Sequence, residues 1–427
     1  MYQIDGPLDM TVFFGFCGIK GYNHLRYPEA HPHSPWSILE LKRTPETNIF
    51  DMIREKDLLI HLPYESFDES VVNFLYSAAN DKDVLAIKQT LYRVSSSSPV
   101  VQALEKAVQN GKQVTVLMEV KARFDEANNI LMARRLEKAG AHVIYGLVGL
   151  KTHSKCTLVI RREKDGIRRY VHVATGNYNA STAKLYTDLG ILTCNDRFGI
   201  DASAFFNLLS GYSDPPIWDS FIVAPINLRQ RCIELIDREI HFAKNGEDAH
   251  MIAKMNSLLD KGIIEKLYEA SQAGVKIELI VRGICVLIPG IPGASDNITV
   301  RSIVGRFLEH SRIFWFRNGG REELYISSAD WMPRNLNDRV ELMVPIEDPE
   351  IKRRLKQMVD IELSDNQKAH IMQADGTWLK TISAENQLCA QEYFQKIAEK
   401  RDAEDEMTLA QKLEPYTPVL GHGDGSD

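Results

Sequence analysis

The stretch GLKTHSKCTLVI at residues 149–160 decides how this chain is organised, because its pattern recurs as FLEHSRIFWF at residues 307–316. In each stretch a base follows a histidine by two residues and an apolar strand comes next, which gives the pairs His153 with Lys155 and His310 with Arg312. Residues two apart in a strand share a face, so each histidine and its base are predicted to point into the same space. The matched pair indicates a duplicated half-site.

The sequence after each histidine also repeats. A charged turn and a second apolar strand follow, and that strand ends in small polar residues. These residues are Gly176, Asn177 and Asn179 in the first copy and Ser327, Ser328 and Asp330 in the second. Each copy therefore predicts two neighbouring strands that bring a histidine and a polar strand end together.

The sequence before each histidine alternates strands with helices. The first copy predicts strands at 84–94, 113–120 and 142–146 and helices at 99–111 and 126–140. The second copy predicts strands at 250–256, 275–283 and 299–305, a helix at 260–274, and a Pro/Gly-rich loop at 288–293 in place of the second helix. This order favours two α/β units with largely parallel sheets and a ligand at the carboxyl ends of the strands.

Composition predicts a soluble globular protein of two or three domains. The chain has 427 residues and 44% hydrophobic content, and no apolar run approaches the roughly 20 residues that span a bilayer. The first residues are acidic where a signal peptide is basic, and six cysteines show no CxxC spacing. We therefore expect a cytoplasmic protein, with peripheral membrane association left open.

The net charge of -7 is unevenly spread. The tail at residues 401–427 holds seven acids and two bases, so the body before it is near neutral. Bases gather around the motifs at Lys88, Arg93, Lys121, Arg123, Lys151, Lys155, Lys184, Arg282, Arg306, Arg312, Arg334 and Arg339. A near-neutral body with a basic centre favours an anionic substrate in a cleft over nonspecific binding to duplex nucleic acid.

Two histidines surrounded by Arg and Lys, without a cluster of metal ligands, favour phosphoryl transfer through a phosphohistidine. A neutral imidazole attacks phosphorus, a second histidine serves as acid or base, and cations stabilise the charge on the transferred group. The nearest approach to a P-loop, GLVGLKT at 146–152, lacks the required glycine spacing.

With its HxK and HxR half-sites the chain resembles the phospholipase D superfamily, and within it the polyphosphate kinases, which move the terminal phosphate of ATP onto polyphosphate. The resembling stretches are DGPLD, LRYP, IREKDLLIHLPYESFD, LYRV, ARFDEANN, GLKTHSK, ATGNYNASTAKLYTD, EHSRI, YISSADWMPRN and RVELMVPI. The resemblance implies an α/β fold with two phospholipase D-like domains of similar topology that face each other.

The resemblance also implies a domain order. Residues 1–44 are expected to be a remnant of the family's head region, so that the chain lacks the family's amino-terminal part. Residues 45–217 and 218–400 are expected to form the two catalytic domains, and residues 401–427 an acidic, disordered tail. Whether the chain forms a homo-oligomer is left open.

The resemblance assigns roles to six residues at the matching positions. His153 corresponds to the phosphorylated nucleophile and His310 to the second catalytic histidine, while Tyr186, Arg282 and His310 correspond to contacts with ATP or ADP. Arg93 and Arg123 correspond to the site of the Mg²⁺-bound phosphate. Because guanidinium has only donors, these arginines are expected to reach the metal through phosphate oxygens.

Five further residues are expected to support the site. Because a reacting imidazole needs a fixed tautomer, Asp188 and Glu341 are expected to orient the two histidine rings. The half-site motifs add Lys155, Asn177 and Arg312.

Other interpretations stay open on sequence alone. Arg93, Arg123, Tyr186 and Arg282 could each have a structural role. A phospholipase D-type phosphodiesterase is the main alternative function, although Ile160 and Arg317 stand where its HxKxxxxD motif requires aspartate. A noncatalytic fragment that binds polyphosphate is the third.

Overall fold

The computed structural model describes residues 6, 10–35, 38–39, 48–95, 97–120, 126–211 and 217–412. The chain divides into two units, Met1–His31 and Pro32–Asp427. The smaller unit contains helix α1 (Val12–Phe16) and a 3₁₀ turn at Asn23–Leu25. The expected boundary between residues 44 and 45 lies outside the described residues and stays a prediction.

The larger unit consists of two α/β halves. Helices of the first half are α2 (Ile49–Glu55), α3 (Asn73–Asn80, after a π-helical turn at Asp68–Val72), α4 (Pro99–Gln109), α5 (Glu126–Ala139) and α6 (Asp196–Leu209). Its strands are β1 (Leu58–Leu62), β2 (Val84–Leu91), β3 (Gln113–Met118), β4 (His142–Tyr145), β5 (Lys151–Thr152), β6 (Cys156–Glu163), β7 (Gly166–Ala174) and β8 (Tyr186–Thr193), with a 3₁₀ turn at Thr182–Lys184.

The second half repeats this plan. Its helices are α7 (Leu228–Lys244), α8 (Lys261–Gln272), α9 (Pro333–Asn337), α10 (Pro349–Leu363) and α11 (Ala390–Lys412). Its strands are β9 (Ile222–Ala224), β10 (His250–Met255), β11 (Lys276–Val281), β12 (Ile298–Ile303), β13 (Leu308–Glu309), β14 (Ile313–Phe316), β15 (Glu323–Ser327), β16 (Arg339–Pro345), β17 (Ala369–Met372) and β18 (Trp378–Lys380), with a 3₁₀ turn at Asn318–Gly320.

Helices α4 and α8 begin and end by the same local devices. The Ser98 side chain accepts from the backbone N–H of the third residue of α4, Val101, and Asp260 accepts from the third residue of α8, Ile263. Each helix ends before a glycine with positive φ, 78° at Gly111 and 99° at Gly274. These caps explain why both helices could be predicted from sequence.

The two sheets are mixed, so the prediction of largely parallel sheets is wrong. Their strand orders are β1-β8-β7-β6-β2-β3-β4 and β18-β17-β12-β11-β10-β14-β15-β16-β5. Only the β2-β3-β4 and β10-β11-β12 segments have the predicted parallel order. The two strands that follow each histidine pair antiparallel because short turns join β6 to β7 and β14 to β15.

Each half has its own hydrophobic core. The core of the first half lies between helices α2 to α5 and its sheet, and that of the second half between helices α7, α8 and its sheet. Together with the matched order of elements, the separate cores confirm the predicted fold class of two similar α/β halves.

Two short strands cross between the halves, and each comes directly before one of the two repeated-motif histidines. Strand β5 precedes His153 but pairs with β16 of the second half. Strand β13 precedes His310 but pairs with β8 of the first half. Because of these two pairings, His153 of the first half lies against the second half, and His310 of the second half lies against the first.

Helix α11 runs to Lys412, which corrects the start of the predicted disordered tail. Residues 413–427 lie outside the described residues. Among the residues that the structure describes, no helix is both long enough and apolar enough to cross a bilayer.

Candidate active site

Backbone pairing with β16 holds His153 in place. Its N–H donates to Val340 O at 2.9 Å, and its Nδ1 lies 2.9 Å from Glu341 Oε2. A carboxylate only accepts, so Nδ1 carries the proton and Nε2 keeps its lone pair. Burial, with Lys155 and Arg339 nearby, lowers the pKa of His153 well below its usual value. The ring is therefore a neutral imidazole with Nε2 available as a nucleophile.

Glu341 is fully buried and is held by two further donors. Ser328 Oγ donates to Oε2 and Asn335 Nδ2 donates to Oε1, each at 2.5 Å. Burial raises the pKa of Glu341, and Lys155 and the Ser328 hydrogen bond oppose that shift. These donors fix the carboxylate that orients His153.

Lys155 lies against the same imidazole. Its Nζ is 3.1 Å from both Nδ1 and Nε2 of His153, so it lies over the ring and is not in line with the Nε2 lone pair. It also donates to the backbone oxygen of His153. Burial lowers the pKa of Lys155 to about 7, although Glu341 opposes the shift. An ammonium here would face any phosphate bonded to the ring.

His310 has the same arrangement with the carboxylate supplied by β8. Its Nδ1 lies 2.9 Å from Asp188 Oδ1, and Thr175 Oγ1 donates to that oxygen at 2.6 Å. Burial lowers the pKa of His310, and Asp188 partly opposes this. Burial also disfavours the charged form of Asp188, but His310 and Thr175 outweigh it and its pKa is lowered.

Arg312 takes the place that Lys155 has in the first half-site. Its NH1 lies 3.2 Å from His310 Nε2 and donates to His310 O at 2.7 Å. Asp330 fixes the guanidinium through Nε at 3.0 Å and NH2 at 3.2 Å. Asn256 links this group to Arg282, whose Nε donates to Asn256 Oδ1 at 3.0 Å.

The two half-sites share one cavity of about 550 Å³. Of the predicted residues, it is lined by Arg93, His153, Asn177, Tyr186, Arg282, His310 and Arg312. Lys155, Asp188 and Glu341 lie directly behind the two imidazoles, and Arg123 lies outside the described residues. The ring of Tyr186 packs against the ring of His310, with 5.2 Å between the two ring centroids. The described part of the chain thus brings ten of the eleven predicted residues together.

Several residues at the cavity had no individually predicted role, although the three bases among them were expected near an anionic substrate. They are Tyr92, Gly149, Lys151, Asn256, Ser257, Leu308, Arg334, Asp338 and Arg339. Tyr92 packs its ring 4.9 Å from that of His153. Arg334 and Arg339 lie within the MPRN and RVEL stretches, where their charge and position were the available signal.

Comparison with known proteins gives two family matches. The family model described as Polyphosphate kinase C-terminal domain 1 matches residues 48–215, and Polyphosphate kinase C-terminal domain 2 matches residues 221–391. The chain belongs to the polyphosphate kinase family. The polyphosphate kinase of Halalkalibacterium halodurans is 56% identical over 371 residues, which cover 86% of this chain and 52% of that protein. The polyphosphate kinase of Synechocystis sp. is 50% identical over 420 residues, 93% of this chain and 57% of that one.

A crystal structure of polyphosphate kinase from Porphyromonas gingivalis has the same fold, with a TM-score of 0.82 at 38% identity. The match covers 89% of this chain and 57% of that protein. The chain thus spans about half the length of the polyphosphate kinases it matches. The family comparison does not assign roles to single residues, so the site roles stay predictions.

The described residues do not fit a resident magnesium ion. No group of three His, Cys, Asp or Glu side chains is placed to hold a metal in this part of the chain. Of the two carboxylates that line the cavity, Asp330 is already bound to Arg312. Magnesium prefers several oxygen ligands, whereas this polyphosphate kinase cavity presents mainly guanidinium donors.

Proposed function

We propose that this chain transfers the terminal phosphate of ATP to polyphosphate, through a phosphohistidine at His153, in a reversible reaction. Nε2 of His153 bonds to the γ-phosphorus as the bond to the ADP oxygen breaks. A terminal oxygen of polyphosphate then attacks the phosphohistidine, the P–N bond breaks, and neutral His153 returns. Each step exchanges one bond to phosphorus for another of similar kind, which makes the reverse direction accessible.

The observation that carries this proposal is the pair of imidazoles, each oriented by a carboxylate of the opposite half, in one cavity lined by cations. His310 is proposed as the acid or base for the oxygens that leave and attack, with Asp188 fixing its tautomer. Tyr186 and Arg282 are proposed to contact the nucleotide, and Arg93 its phosphates. These cations would stabilise the negative charge that spreads over the phosphoryl group during its transfer.

Magnesium is proposed to enter as part of the nucleotide substrate. Phosphate oxygens would be its ligands, and Arg93 and Arg123 would touch those oxygens. ATP or ADP and inorganic polyphosphate are the proposed partners.

The test is incubation of the purified chain with ATP labelled at its terminal phosphate, magnesium and short polyphosphate. We expect acid-labile, base-stable label on a peptide that contains His153, and longer labelled polyphosphate. No label with polyphosphate still bound would favour the binding fragment. Hydrolysis of a chromogenic phosphodiester that is lost with His153→Ala would favour the phosphodiesterase.

Lys155 is expected to make transfer depend on pH. Its pKa of about 7 means that the ammonium is present below pH 7 and is lost as the pH rises. We expect kcat/KM for ATP to fall above about pH 7, and Lys155→Met to lower it roughly 10²–10³-fold at pH 6 and to flatten this part of the profile.

Lys88→Met is the matched control for Lys155→Met. Lys88 lies on β2 outside the cavity, with Nζ 3.4 Å from Asn207 Oδ1. This variant is expected to keep the wild-type profile. Equal profiles for Lys155→Met and the wild type would contradict the role of Lys155.

A further inference from the structure

A second group of charged side chains lies buried behind His310, outside the cavity. Lys254 of β10 donates to Glu309 Oε2 at 2.7 Å and also to Glu362 of α10. The side chains of all three are at most 3% exposed. One ammonium thus faces two carboxylates in a place closed to solvent.

Glu309 connects this group to the catalytic histidine, which is the next residue. Its Oε2 accepts from Thr187 Oγ1 at 2.8 Å, and Thr187 Oγ1 accepts from the His310 N–H at 3.2 Å. Gln391 at the start of α11 donates to Glu309 Oε1 at 2.6 Å and to Phe307 O at 2.9 Å. The charged group therefore holds β13 where it crosses to β8.

The first half-site has neutral side chains at the positions that correspond to Lys254 and Glu309. Lys254 pairs with the strand residue three positions after its histidine. In the first half the side chain of Thr90 bonds the residue three positions after His153. Thr152 precedes His153 where Glu309 precedes the other histidine. Because burying an ion pair is costly and the fold accepts neutral side chains here, packing alone does not explain the charges.

The charges balance only if one carboxyl keeps a proton. Burial opposes ionisation of Glu309, but Lys254 outweighs it and the pKa of Glu309 is lowered. Burial raises the pKa of Glu362 to about 7, with Glu309 adding to the shift and Lys254 opposing it. Buried Tyr64 faces Glu309 and Glu362, buried His61 faces Lys254, and Arg301 NH1 reaches only the backbone oxygen of Glu362, at 3.5 Å. Glu362 is therefore the member that holds the proton.

We propose that Lys254, Glu309 and Glu362 position His310 against Asp188, and that this arrangement requires one proton on its two carboxyl groups. Loss of that proton leaves an uncompensated negative charge beside Glu309 and loosens its hold on β13. The three are positioning residues. Their effect on catalysis rests on the proposed function, but their effect on His310 does not.

The first test follows the His310 ring by NMR in chains with isotope-labelled histidine, assigned with His310→Ala. In the wild type we expect the ring signals to shift in a step between about pH 6 and pH 8. Glu362→Gln cannot ionise and is expected to lose the step. Glu309→Gln leaves one ammonium with one carboxylate and is expected to lose it too, which covers a failure of either variant to fold.

Two controls isolate the effect. Glu239→Gln changes another fully buried glutamate of the same half, which accepts from the Asn318 N–H at 2.8 Å and not from Lys254, and should keep the step. Repeating the series with Lys155→Met removes the other group that titrates near pH 7. A step that persists in Glu362→Gln and Glu309→Gln when each also carries Lys155→Met would overturn the proposal.

The second test measures kcat for phosphate transfer against pH. Once Glu362 has ionised, the wild type is expected to lose rate roughly tenfold per pH unit more steeply than Glu362→Gln, whose remaining decline comes from Lys155, and the KM for ATP is the same in both. Identical profiles would overturn the proposal. If the wild type transfers no phosphate but the NMR step depends on Glu362, the proposed function fails and the positioning role stands.

Discussion

A chain that carries His153→Ala is expected to take up no label from ATP, because it lacks the only group proposed to bond to phosphorus. His250→Ala is the matched control, since His250 also pairs with a glutamate, with Nε2 2.8 Å from Glu278 Oε2, but lies outside the cavity. It is expected to label like the wild type. The measurement is label per chain after incubation with terminally labelled ATP, at pH 6 and pH 8.

Chemical rescue separates loss of the nucleophile from loss of the fold. The alanine variant leaves space between Tyr92, Lys155 and Glu341 where the ring had been. Added imidazole is expected to take the γ-phosphoryl group there and to appear as labelled phosphoimidazole in solution. Label that stays on the His153→Ala chain would place the nucleophile elsewhere and contradict the mechanism.

The repeated units could be predicted because their signals are local. Helices α4 and α8 have an apolar periodicity, a capping side chain and a terminal glycine within one short window. The His153 and His310 stretches repeat residue types at the same spacing. Such patterns specify each half but say little about how two halves meet.

The crossing of β5 and β13 could not be predicted. A strand of two residues has no periodicity, and its partner is far along the chain, as with Lys151 and Arg339. This pairing decides that His153 meets Glu341 and His310 meets Asp188. The sequence suggested the two carboxylates as orienting groups without assigning either one to a histidine.

The buried charges show a second limit. Lys254 stands alone in the apolar stretch HMIAKMN, which signals that something must neutralise it. Its partners Glu309 and Glu362 come from distant elements and are brought together only by packing. Nothing in their local patterns distinguishes them from exposed acids.

Glu341→Gln is expected to slow formation of the phosphohistidine by on the order of 10²–10⁴-fold. If the amide NH₂ faces His153, it forces the ring proton onto Nε2 and removes the nucleophilic lone pair. If the amide oxygen faces His153, Asn335 must rotate and the buried negative charge that stabilises the ring as it bonds to phosphorus is lost. Both orientations weaken the nucleophile while the side-chain shape is kept.

Glu278→Gln is the control for Glu341→Gln, because it alters the same type of pair at His250. It should label at the wild-type rate in rapid-quench measurements. Asn335→Asp added to Glu341→Gln returns a carboxylate to the network, where it can accept from the amide and leave the amide oxygen for His153. We expect this double variant to label faster than Glu341→Gln. Full activity of Glu341→Gln alone would mean that neither the tautomer nor the buried charge of this pair matters to the attack on phosphorus.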